Sequence, residues 1–299
     1  MRSAAIFLGL IGLGFAGIIL LGYPAWLLVS PLFNEPFSRV ASRVGMLIAL
    51  VSFVFVARLT KVSDRQSLGF GLPVREFTRE VVAALLLGIL LMLPAVGTML
   101  LFGMRTLEPG VALGIPDLLV LLFNGIASGL IIALIEETFL RGAMQTAITR
   151  ESGAALAIGL TSVLYAAFHF VSGRYHVAPE DVGFGSGLHM LGVVLNGFTE
   201  PALIVDSFLC LTAVGALLGI VRALTGNIAA CIGLHAGWVM VIYVLRQITV
   251  PNPDSPAAWL LGNYDGFIGW MVLAWTPVIG WILYLWYGRR KKMGTFLFS

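Results

Sequence analysis

The chain has 299 residues, of which 59% are hydrophobic and 11% charged, and its mean hydropathy is +0.98. A soluble chain of this length carries about 25% charged residues, so a globular cytosolic enzyme is excluded, and no stretch leaves room for a sizeable soluble domain. The net charge of +3 is accounted for by membrane-orientation signals and gives no reason to expect a nucleic-acid partner.

Repeated apolar runs of about 20 residues fit helices that cross a ~30 Å hydrocarbon core. The expected fold is therefore all-α: a polytopic membrane helical bundle of about eight transmembrane helices, forming one membrane domain over residues 1–299. Span one covers about Ala4–Leu21 and reaches towards Val29. It starts like a signal peptide, but the apolar run is long and no small-x-small cleavage site follows, so it reads as a retained anchor. Span two covers about Gly45–Val56. The basic loop after it (Arg58, Lys61, Arg65, Arg75, Arg79) is expected to start an interfacial helix at Val74–Thr78. Span three is about Val81–Phe102, span four about Leu118–Ala143 and span five about Ala154–Phe170. The longest polar connection, Ser172–Pro201, contains a short apolar stretch, Leu188–Leu195, suited to a shallow helix. Spans six to eight are about Ala202–Leu224, Ile228–Leu245 and Phe267–Tyr287, followed by Arg289-Arg290-Lys291-Lys292.

With eight spans both termini share one side. Placing them in the cytoplasm puts 13 of the 18 Lys and Arg residues inside, as the positive-inside rule requires. Cys210 and Cys231 both fall in spans, which points to buried free thiols rather than a disulfide framework.

One polar knot interrupts span four: Glu136-Glu137-Thr138-Phe139-Leu140-Arg141. A charge at bilayer depth costs at least ~2.5–3.5 kcal/mol, so two adjacent carboxylates there need a reason. Glu137 and Arg141 are i and i+4 and share a face; Glu136 lies about 100° round the helix and can face a cavity. The other ionisable residues within spans are His169, His235 and Asp206. Asp206 sits near a span end and reads as a solvated helix terminus, and His176 and His189 lie in the polar connection. Carboxylates, an arginine and two histidines on three spans can converge only in a shared polar interior.

Such a cluster can hydrolyse a peptide bond, with a carboxylate drawing a proton from water and imidazole ordering that water or stabilising the oxyanion. Glu136, His169 and His235 could instead hold Zn2+, with an open position for water. Competing protease patterns are absent: no His is followed by Glu, as a zincin helix needs, no Gly-x-Ser-Gly occurs, and Asp206 has no second intramembrane Asp to pair with.

Three segments carry a family resemblance. Glu136-Glu137-Thr-Phe-Leu-Arg141 resembles the E-E-x-x-x-R motif of the CPBP (CAAX protease and bacteriocin-processing, or Abi) family of intramembrane proteases. Tyr165-Ala-Ala-Phe-His169 is similar to its F-x-x-x-H motif, with tyrosine for phenylalanine. Gly233-Leu-His235-Ala-Gly-Trp238 looks like the start of H-x-x-x-N/D, with Val239 at the final position. The resemblance implies a catalytic core at residues 118–238. In it Glu136 would be the water-activating base and His169 its partner, Glu137 and Arg141 would supply orientation and charge balance, and His235 would stabilise the oxyanion or bind metal. Val239 leaves that oxyanion hole one donor short. The implied substrate is a membrane-associated peptide or protein, and the compact build suggests a prokaryotic inner membrane. Two other functions are compatible with the residues: a non-catalytic binding protein that keeps the cavity, and an ion-coupled transporter using the Glu pair.

Overall fold

The computed structural model of the chain describes residues 1–111, 114–171 and 175–292, with side chains through residue 289. Ser172–Arg174 of the polar connection, and the side chains of Arg290, Lys291 and Lys292, lie outside the described residues. Ten α-helices make up most of the described chain: α1 (Arg2–Phe33), α2 (Phe37–Leu59), α3 (Val74–Leu101), α4 (Ile115–Glu137), α5 (Gln145–Ser152), α6 (Ala154–Phe170), α7 (Ser186–Leu195), α8 (Val205–Thr225), α9 (Ala229–Ile248) and α10 (Trp270–Lys292). Seven helical segments are long and apolar enough to cross a membrane, α4 and α5 counting as one continuous run over Ile115–Ser152. The 17-residue α6 falls at the lower limit of spanning length. The chain is a multi-pass membrane protein built as a helical bundle.

α9 is the hub. It packs against α3 on one side and α4 on the other, while α6 and α10 pack on α8 and α1 pairs with α2. The close approaches rest on glycine. A Cβ at Gly129 of α4 would lie 2.6 Å from the Ala236 carbonyl oxygen, one at Gly237 of α9 2.6 Å from that of Leu85, and one at Gly88 of α3 2.8 Å from that of Leu234. Small residues that let backbones approach are the usual cement of helices in lipid, where burying apolar groups gains little.

Three expectations are corrected. Val74–Thr78 is not a separate interfacial helix but the first turn of α3, because Pro73 at the N-cap starts one continuous helix. Span four does not end near Ala143: the helix continues through a π-helical turn, Thr138–Met144, into α5 and stops at Ser152. The polar residues that suggested a loop have partners inside the protein. Gln145 Nε2 donates to the Gly219 carbonyl at 2.9 Å, and Thr146 Oγ1 donates to that of Ser67 at 3.0 Å. Asp206 is buried rather than solvated, in the first turn of α8, where its carboxylate accepts the Ser207 N–H at 2.7 Å.

The longer helix brings Glu136 and His169 to similar depth. Gly153, with φ of +86°, makes the turn between α5 and α6. Glu136 lies 17 residues before it and His169 16 residues after, so both sit about 25 Å from the turn at 1.5 Å per residue. A two-stranded pairing, Arg105–Leu107 with Thr249–Pro251, closes the far end. Arg105 is buried there, donating to the hydroxyl and carbonyl of Thr249 and to the Gly266 carbonyl.

The glycine contacts generate a paired test. Gly129→Ala pushes its methyl against backbone that cannot yield, and should lower stability by about 1–3 kcal/mol. Gly159→Ala in α6, which meets nothing within 4 Å, should be neutral or slightly stabilising. Thermal unfolding of both variants in the same detergent checks this.

Candidate active site

The five residues singled out in the sequence come together where α4, the π turn, α6 and α9 meet. Glu137 and Arg141 are fully buried, and Arg141 Nη1 donates to Glu137 Oε1 at 3.1 Å. The same carboxylate oxygen accepts from His235 Nδ1 at 2.8 Å, so α9 is tied to α4 through one carboxylate. Arg141 Nη2 also donates to the Gly215 carbonyl of α8 at 3.1 Å, and its guanidinium lies 4.7 Å from the Tyr165 ring centre. Because Arg141 is buried, it belongs to this centre and not to the basic residues that set orientation.

Glu136 takes the other direction. Its side chain is 35% exposed, and Oε2 lies 4.0 Å from His235 Nε2. The two acids differ in environment: one is locked in an ion pair, the other lines the cavities. His169 Nδ1 lies 2.8 Å from the Tyr165 carbonyl oxygen. A carbonyl only accepts, so Nδ1 carries the proton and Nε2 of the neutral ring presents a lone pair. Both imidazoles therefore have Nδ1 engaged and Nε2 free. The His169 carbonyl in turn accepts the Tyr264 hydroxyl at 2.8 Å; burial, with Asp265 next to it, raises the Tyr264 phenol above its ordinary range, which keeps it a donor.

Glu136, His169 and His235 line one cavity of about 250 Å³, together with Tyr165, Trp238 and Val239. Most of the remaining wall is aliphatic, from α8 and α10. A second cavity, about 220 Å³, lies on the other side of Glu136 and Tyr165, walled by Ile135, Phe139, Leu140 and Phe168. Glu136 Oε2, Glu137 Oε2 and Arg141 Nε have no hydrogen-bond partner among the described residues, so polar valence remains for water or substrate.

His176 and His189 are exposed and lie away from this centre. Asn227 is occupied elsewhere, its Oδ1 capping α9 through the Ala229 N–H at 3.0 Å. Cys210 and Cys231 are buried and free. Among the described residues no group of three His, Cys, Asp or Glu side chains gathers as a metal-holding set.

Residues 118–241 match the family model Rce1-like, described as type II CAAX prenyl endopeptidase Rce1-like. This core is similar to the CAAX proteases. The match agrees with the CPBP resemblance and spans all three motifs. No curated protein and no solved structure matches the chain. Sequence reasoning noted Tyr165 only as a replacement for phenylalanine, although its ring centre lies 4.6 Å from that of His169 and 5.8 Å from that of His235.

Removing one member of the ion pair should cost more than removing both. Arg141→Ala leaves Glu137 as a buried charge held only by His235, a loss of about 3–5 kcal/mol. The double variant Glu137→Gln with Arg141→Met should unfold at a higher temperature than Arg141→Ala alone, which thermal scans of purified variants measure.

Proposed function

We propose that the chain is an intramembrane endopeptidase of the CPBP type, hydrolysing peptide bonds of membrane-associated substrates with a water activated by Glu136 and histidine. The observation that carries this reading is the shared cavity wall, where a partly exposed carboxylate faces two imidazoles whose Nε2 atoms are both free. In the proposed step Glu136 takes a proton from water as the water oxygen bonds to the scissile carbonyl carbon, and His169 Nε2 accepts a hydrogen bond from the same water. His235 acts as the imidazolium, its Nδ1–H held by Glu137 and its Nε2–H donating to the carbonyl oxygen. Glu136 then returns the proton to the departing nitrogen as the C–N bond breaks, leaving a carboxyl and an amine. No step passes through a metal. The catalytic core of this reading is 118–238, inside the stretch covered by the family match. The substrate is a peptide or protein anchored in the bilayer, and the aliphatic wall beside the acids suits an apolar group near the cleaved bond. The Lys and Arg distribution supports cytoplasmic termini, and the compact build a prokaryotic inner membrane.

Cleavage of a prenylated CAAX peptide and of an unprenylated membrane-anchored reporter by the protein in proteoliposomes tests this. Glu136→Gln and His169→Ala should each lower the rate by at least about 10²-fold without lowering the unfolding temperature, and chelators should leave the rate unchanged. Full cleavage by Glu136→Gln would rule the assignment out, and loss on chelation with recovery on adding Zn2+ would favour a metal-assisted route.

A further inference from the structure

We infer that the Tyr165 hydroxyl is the second oxyanion donor of this site, standing in for the amide that position 239 lacks. The inference rests on the peptidase reading above. Tyr165 is buried in α6, yet with Glu136 it forms the wall common to both cavities. Its hydroxyl has no hydrogen-bond partner among the described residues. Its side chain lines the cavity that Glu136, His169 and His235 share.

A tyrosine here is otherwise hard to account for. The ring alone meets the edges of both imidazoles and lies under the Arg141 guanidinium, and phenylalanine would fill the same space. A phenol hydroxyl with no protein partner beside the cavity keeps its proton available for a bound group, which phenylalanine could not supply. Across the cavity Val239, i+4 from His235 and on the same wall, offers only methyl groups. One wall of the site thus carries a spare donor and the other lacks one. As negative charge develops on the carbonyl oxygen, His235 Nε2 approaches it from α9 and the Tyr165 hydroxyl from α6. The phenol donates a hydrogen bond and keeps its proton throughout.

The test is Tyr165→Phe, which removes one oxygen and leaves the ring contacts in place, in the reporter assay with Glu136→Gln as control. Tyr165→Phe should lower kcat about 10²-fold, the usual loss for one such donor, with KM and unfolding temperature little changed. Adding Val239→Asn to Tyr165→Phe should recover at least tenfold, because an amide at 239 reaches the same cavity. Unchanged kcat in Tyr165→Phe, while Glu136→Gln is inactive, overturns the donor role and leaves the peptidase reading intact. A fall in kcat that Val239→Asn does not recover, or one matched by a fall in unfolding temperature, assigns Tyr165 to packing and equally overturns the proposal. Full activity of Glu136→Gln would instead remove the reading on which it rests.

Discussion

The structure depends on one buried carboxylate with two partners. Glu137 Oε1 accepts from Arg141 in the next helical turn and from His235 on α9, and neither acid nor arginine has any exposure. Alone, each of these charges would be untenable at that depth. Together they join α4 to α9, and through the Gly215 carbonyl to α8. The glycine contacts of Gly129, Gly237 and Gly88 bring the backbones near enough for the short side chains to meet. The π turn between Glu137 and Gln145 widens the helix just where the guanidinium must turn back on the carboxylate, a use of irregular helix common at functional sites.

Because Glu137 takes Arg141 and the His235 Nδ1, Glu136 is left on the cavity wall. Adjacent residues on a helix point about 100° apart, so a Glu-Glu pair places one acid in a buried ion pair and the other on a cavity wall from a single turn. The two imidazoles show the same division of labour within one ring. Nδ1 is used for anchoring, on a carboxylate for His235 and on a backbone carbonyl for His169, and both rings line the cavity. Fixing one nitrogen decides what the other can do.

Much of this was legible in the sequence, for physical reasons. α6 was located residue for residue because Gly153 on one side and the polar connection on the other bracket an unbroken apolar run. The cluster was recognisable because ionisable residues are so rare in the spans that a Glu pair, an arginine and two histidines must find one another. The end of α4 was not legible: Gln145, Thr146 and Arg150 look like a loop until their acceptors are known, and those acceptors come from Ser67, Gly219 and Lys61, far along the chain. The pairing of Arg105 with Thr249 was hidden in the same way, by 144 residues of separation. Burial of Asp206 depends on which helices cover its turn, which hydropathy does not encode. Tyr165 for phenylalanine was visible as a change of letter, but its importance comes from its place between two cavities.

The claim on which everything else turns is that the acidic pair and the two imidazoles share one hydrated interior. An experimentally determined structure of the protein in a lipid nanodisc measures this most directly. It should show His235 Nδ1 hydrogen-bonded to Glu137, with Glu136 and the Nε2 atoms of His169 and His235 around common water. Either imidazole turned towards lipid, or an apolar layer between His169 and Glu136, would contradict it.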